Sequence, residues 1–93
     1  MTEILQQAIR HYGRQHQQTK AVEELGELQQ AILKCLDGRC DLNNLTEEIA
    51  DVEIVLEQIE MMFPINEETL KTIKARKILR LKSRMDSEVG LQK

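Results

Sequence analysis

The chain reads as all-α, and three observations say so. Apolar residues recur at helical spacing over four separate stretches, the composition leans on Leu, Ile, Glu, Gln and Lys, and proline occurs once. The breaks between stretches are short. The expected architecture is therefore an antiparallel helical hairpin within a four-helix bundle-like arrangement, completed by oligomerisation. Ninety-three residues make a single domain, and a chain this short buries only about 65% of its unfolded surface, which leaves a lone monomer marginal.

The first helix is expected from about Thr2, an N-cap followed by Glu3, to about Tyr12, with Leu5, Ala8, Ile9 and Tyr12 on one face. Gly13 ends it. The polar run from Arg14 to Gln18 reads as a connector, with Thr19 capping the next helix. On that reading His16, Gln17 and Lys20 are solvated side chains, with contact to a substrate just before the second helix as the lesser alternative.

The second helix covers about Lys20 to Leu36, with Val22, Leu25, Leu28, Gln29, Ile32 and Leu36 tracing its buried stripe and Asp37-Gly38 as its stop. Glu24 falls at the edge of that stripe, near Leu28, Ala31 and Cys35. Glu27 lies one step outside, and Glu23 further toward solvent.

Asn44-Leu45-Thr46-Glu47 has capping-box character, so the third helix is expected from there to about Met62, where Phe63-Pro64 stops it. Leu45, Ile49, Val52, Val55, Leu56 and Ile59 form one stripe. Glu48 lies inside that stripe and Asp51 on its edge. The opposite side carries Ala50, Ile54 and Met61 among Glu53, Glu57 and Glu60, and a helix apolar on more than one side is expected to meet more than one neighbour. The fourth helix opens at Asn66-Glu67-Glu68, with acid in its first turn as the helix dipole prefers. It is expected to reach about Met85, with Leu70, Ile73, Leu81 and Met85 inward and Lys77, Arg80 and Arg84 along one flank. Residues 86–93 are expected to fray.

A net charge of −3 argues against a general nucleic-acid binder. No apolar run approaches the roughly 20 residues of a membrane span, and no signal peptide is visible, so the expected location is cytoplasmic. Cys35 and Cys40 have no His or further Cys at zinc-ligand spacing. They read as free thiols of a reducing compartment.

Glu48 sets the chemistry. Burying an unpaired carboxylate is costly enough that proteins neutralise it, pair it or give it a cation. Glu24 with Glu27, and Glu48 with Asp51, are each spaced by three, which puts both members on one helix face about 5–6 Å apart at Cβ. Two such faces opposed make a cage of hard oxygen ligands, suited to Mg²⁺ or Mn²⁺ rather than zinc. Di-iron bundles add Glu-x-x-His to their carboxylates, and neither His11 nor His16 has that spacing. Divalent ions would invert the local field. Lys77 and Arg80, one turn apart, would then grip the outer phosphates of a nucleotide, with Arg84 continuing the ridge. The combination points to metal-assisted attack of water on a phosphoanhydride.

One geometric tension accompanies this reading. Glu27 stands about nine residues from the end of its helix and Glu48 about four from the start of the next, an offset of roughly 7 Å in a flush hairpin. A start of the third helix near Asp41 removes most of it.

At these residues the sequence resembles the all-α NTP pyrophosphatase superfamily, the MazG-like proteins and their relatives among dimeric dUTPases and phosphoribosyl-ATP pyrophosphatases. The signature EExxE followed by ExxD stands here as Glu23-Glu24-Leu25-Gly26-Glu27 and Glu48-Ile49-Ala50-Asp51, and Lys77-Ile78-Leu79-Arg80 looks like the basic K-x-x-R element of the last helix. The likeness organises about residues 20–84 of a single domain, 1–93. It implies cleavage of a nucleoside triphosphate to the monophosphate and pyrophosphate, with Mg²⁺ or Mn²⁺ held by Glu24, Glu27, Glu48 and Asp51. It also implies Glu23 and Glu24 as catalytic carboxylates, Glu23 orienting water, and a homodimer or homotetramer in which a neighbouring chain contributes to the site. The chain departs from the pattern in base recognition. It has no Trp, and Tyr12 and Phe63 are its only aromatic candidates for stacking.

The competing reading is a non-catalytic helical interaction module whose acidic and basic ridges set the register of an oligomer. A helix-turn-helix DNA reader fits poorly, because the most basic helix is the last one and the net charge is negative.

Overall fold

The computed structural model describes residues 1–91, and these are all-α: α1 Thr2–Tyr12, α2 Arg14–Leu36, α3 Leu42–Met62 and α4 Glu67–Leu91, with no strand among them. Gly13 is the hinge between the first two. Its φ of 98° is open to glycine and strained for other residues, so α1 ends there and α2 leaves in a new direction. At the other end of α1, Thr2 is already helical. The N-cap is Met1, which makes no side-chain cap bond, so the expected Thr2 cap is not formed.

Helix α2 begins six residues earlier than the composition suggests. The polar run from Arg14 to Gln18 is helical, and Thr19 Oγ1 donates back to the Gln15 carbonyl (3.0 Å) instead of capping. Tertiary packing supplies the reason. Gln17 is buried and donates from Nε2 to Gln58 Oε1 of α3 (3.0 Å), while Gln58 Nε2 donates to the Leu5 carbonyl of α1 (3.2 Å). Arg14 lies over the Phe63 ring at 5.6 Å, adding a second tie between the start of α2 and the end of α3.

The stop of α2 follows the sequence. Asp37 is the C-cap, Gly38 takes a φ of 79°, its N–H donates to the Cys35 carbonyl, and Arg39 N–H donates to the Lys34 carbonyl (2.8 Å). This is a Schellman turn. It brings Cys40 back beside Cys35, and the two form a disulfide, so neither cysteine is the free thiol that their spacing suggested. The inference of a reducing compartment loses its footing with them.

Helix α3 starts at Leu42. Asp41, not Asn44, is its cap, accepting from the Asn44 N–H (3.1 Å). The short loop returns the chain antiparallel: Gln17 meets Gln58 near one end, and Glu24 meets Glu48 nearer the turn. Helix α1 packs on both members of this hairpin.

Helix α4 does not join them. Asn66 caps it through the Thr69 N–H (3.0 Å), and it runs to Leu91 without the expected break after Met85; residues 92 and 93 lie outside the described residues. No Cα of α4 comes within 8 Å of one in α1, α2 or α3. Of its expected inner stripe only Ile73 is half-buried, while Leu70, Leu81 and Met85 are exposed. The radius of gyration is 17.5 Å, against about 12 Å for a compact domain of this length. One copy is thus a three-helix body with a long helix standing off it.

Candidate metal centre

The face that α2 turns into the fold is not the large apolar stripe. Gln17, Ala21, Glu24 and Ala31 are buried and Leu28 is half-buried, a run spaced by fours and threes. Val22, Leu25, Ile32 and Leu36, the residues that hydropathy marks as core, are exposed. Alanines at the contact let two helices approach closely. On α3 the buried face is Val52, Val55, Gln58 and Met62, with Glu48 half-buried one turn before Val52. Glu24 therefore sits within the helix–helix seam rather than at its edge.

There it meets the other carboxylates. One oxygen from each of Glu24, Glu27 and Glu48 lies within 4.8 Å of the others. The start of α3 at Leu42, three residues before the expected one, removes about 4.5 Å of the offset of roughly 7 Å. Glu24 is 5% exposed, and its Oε2 is buried with no hydrogen-bond partner, as is Glu48 Oε2. The other oxygen of Glu24, Oε1, lies 3.1 Å from Lys20 Nζ. Burial raises the Glu48 pKa above the ordinary carboxylate value; repulsion from Glu27, Asp51 and Glu24 and a hydrogen bond to Glu27 push it the same way.

Three close carboxylates with two orphaned buried oxygens are under-compensated by one ammonium. Orphaned acceptors carry their full desolvation cost, and the complement that satisfies several at once is a small hard cation. The donor set is all oxygen, which fits Mg²⁺ or Mn²⁺.

Asp51 is exposed but lines the same cleft, about 170 Å³, as Lys20 and Glu24, together with Gln17, Gln58, Ile54 and Val55. Glu23 is exposed and outside the three-carboxylate group. Lys77 and Arg80 line a separate surface groove on α4 together with Ile73 and Arg76, and Arg84 is exposed beyond it. The ion pairs of α4, Lys71 with Glu68 and Lys82 with Asp86, are internal to it. Within one chain the structure thus gathers Glu24, Glu27 and Glu48, places Asp51 with Glu24 along the adjoining cleft, and leaves the α4 cations apart.

Of the polar residues of that cleft, Gln58 carried no mark in the sequence, while Gln17 and Lys20, expected as part of a solvated connector with substrate contact as the lesser alternative, line it from the start of α2. Lys20 was legible as the i,i+4 partner of Glu24. The glutamines gave no signal that distinguishes a buried amide from a solvated one. His16, beside them, donates from Nδ1 to Gln17 Oε1 (2.8 Å) and stacks on Tyr12 at 5.1 Å between ring centroids. No helix among the described residues is long and apolar enough to cross a membrane. Compared with protein-family models, curated proteins and solved structures, the chain matches none.

Proposed function

We propose that the chain is a Mg²⁺- or Mn²⁺-dependent nucleoside triphosphate pyrophosphohydrolase of the MazG-like type, converting a (d)NTP and water to the (d)NMP and pyrophosphate. The observation that carries this reading is the meeting of Glu24, Glu27 and Glu48 across two helices with two buried carboxylate oxygens left unpartnered. Asp51 completes the ligand set from the wall of the cleft. A divalent ion bound there supplies Lewis acidity to phosphoryl oxygens and acidifies water. The protein's own part is to fix the carboxylates, most firmly through the burial of Glu24, and to present Glu23 on the solvent side, where it orients the attacking water. The linkage between the first and second phosphates opens, and pyrophosphate leaves with both outer phosphorus atoms.

The phosphate-binding cations of α4 reach this site from a second copy, in a homodimer or homotetramer. Two features support that arrangement. Helix α4 stands free with Ile78, Leu79, Leu81 and Met85 exposed, and the hairpin exposes Val22, Leu25, Ile32 and Leu36 on α2 and Ile49, Ile54 and Leu56 on α3. Uncovered apolar area on this scale marks an interface. The charges also match, since Lys77, Arg80 and Arg84 are exposed on α4 while Glu27 and Asp51, the exposed members of the acidic group, lie on α2 and α3.

A panel of NTPs, dNTPs and base-modified dNTPs with Mg²⁺ or Mn²⁺, scored for pyrophosphate against orthophosphate, tests the proposal. Metal-dependent pyrophosphate release from at least one nucleotide is expected. Orthophosphate as the product, or no turnover with any of them, overturns it.

A further inference from the structure

Lys20 and Glu24 form an ion pair whose two ends are held very differently. The Glu24 side chain is 7% exposed, fixed in the seam against α3, whereas the Lys20 side chain is 49% exposed at the lip of the cleft. A lysine ammonium is a point charge on a four-carbon stem and changes partner at little cost. Among the residues lining the cleft, Lys20 is the one cation; the other polar groups are Glu24, Asp51 and the two glutamines. Those glutamines are already engaged, Gln17 with Gln58 and His16, and Gln58 with the Leu5 carbonyl. Among the described residues of one chain, the positive side chain placed to meet an anion in this cleft is therefore Lys20.

Two cations cannot both be the main counter-charge of Glu24. We propose that Lys20 is a substrate-phosphate ligand that waits on Glu24 while the carboxylates are without a divalent ion, and turns to a phosphate oxygen of the nucleotide once the ion has taken over Glu24. The assignment rests on the pyrophosphohydrolase reading and names a contact that reading lacks, a phosphate-binding cation supplied by the same chain as the carboxylates. It also separates two tasks. The α4 cations are distant in the chain and serve the outer phosphates, while Lys20, one helical turn from Glu24, serves the phosphate nearest the metal.

The test uses the full-length chain, Mn²⁺ and inorganic tripolyphosphate as the probe. Calorimetry first measures Mn²⁺ alone, then tripolyphosphate added to Mn²⁺-saturated protein, for the wild type, Lys20→Met and Lys20→Arg. Lys20→Met is expected to bind Mn²⁺ as tightly as the wild type or more tightly, and tripolyphosphate at least tenfold more weakly. Lys20→Arg, which keeps the charge, is expected to recover most of that loss. Weaker Mn²⁺ binding in Lys20→Met overturns the proposal and makes Lys20 a residue that merely positions Glu24. Unchanged affinity for both overturns it in favour of a solvated lysine. A wild type that binds no Mn²⁺ sinks the metal reading itself, which is a different result. Should Lys20→Met fail to fold, the wild-type structure with Mn²⁺ and tripolyphosphate decides. Lys20 Nζ within hydrogen-bond distance of a phosphate oxygen supports the proposal, and Nζ still on Glu24 overturns it.

Discussion

Gln17 and Gln58, forty-one residues apart, share a buried amide–amide hydrogen bond of 3.0 Å, and through Gln58 Nε2 the same pair holds the Leu5 carbonyl of α1. The two side chains thus join all three packed helices. Gln58 is 2% exposed, so removing it strands the Gln17 Nε2 amide and takes from the Leu5 carbonyl the bond it makes beyond the α1 ladder. A stranded buried group costs about 1–3 kcal/mol. Gln58→Ala is expected to destabilise the protein by at least that much in urea unfolding. Replacing both glutamines by Leu is expected to cost less than the sum of the single Leu variants, because neither amide is then left facing an apolar side chain; full additivity contradicts the coupling.

The same pair shows what the sequence withheld. Helix ends written in backbone chemistry were legible: Gly13, Asp37-Gly38 and Phe63-Pro64 all stop helices where expected. The start of α2 was not, because Arg14 to Gln18 is polar and its place in the fold comes from a partner on α3. The α2 face was misassigned for a related reason. Hydropathy ranks Val22, Leu25, Ile32 and Leu36 above Ala21 and Ala31, but the hairpin selects the small residues that let α3 approach. The larger ones record a surface that one chain does not cover. Glu48 was legible because a carboxylate inside an apolar stripe conflicts with its neighbours, and the site lies at that conflict.

Substituting Glu48 by Gln keeps its size and removes a charge crowded by Glu27, Asp51 and Glu24. The metal-free Glu48→Gln protein is expected to melt at a higher temperature than the wild type, and the stabilisation by Mg²⁺ or Mn²⁺ to disappear. Outer partners of metal ligands are worth about 10–100-fold in affinity or activity, and loss of a ligand itself should cost at least as much. Calorimetric melting with and without Mn²⁺ checks both. A variant less stable than wild type without metal argues that Glu48 is a structural acceptor.

The raised Glu48 pKa fixes the sign of a pH effect. The folded protein holds that proton more tightly than the unfolded chain, so stability falls as proton binding is lost. The contribution is fully present below the ordinary value of 4.5 and is lost as pH rises through the elevated folded value. Metal binding needs the deprotonated carboxylate and is expected to tighten over the same interval. Urea unfolding in EDTA, repeated with excess Mg²⁺ across that interval, should give slopes of opposite sign from this group. A rising metal-free contribution from Glu48, isolated by comparison with Glu48→Gln, contradicts the placement of Glu48 among like charges.

Helix α4 supplies the last prediction. A helix of 25 residues with no Cα within 8 Å of another helix among the described residues, and with Ile78 at 59% and Leu79 at 64% exposure, is hard to reconcile with a stable monomer. If a second copy covers it, the wild type sediments as a dimer or tetramer, and its melting temperature rises with protein concentration. Placing a charge in the interface by Ile78→Asp together with Leu79→Asp is expected to yield monomer. Activity should fall with it, because Lys77 and Arg80 then no longer face another chain's carboxylates. Mixing supplies the sharper test. A chain with Lys77→Ala and Arg80→Ala and a chain with Glu48→Gln are each expected to be inactive alone and to regain part of the activity together, since a mixed oligomer contains sites with intact residues from both. Sedimentation of the mixture should show the wild-type oligomer. If the mixed oligomer forms and no activity returns, the α4 cations act on their own chain or not at all.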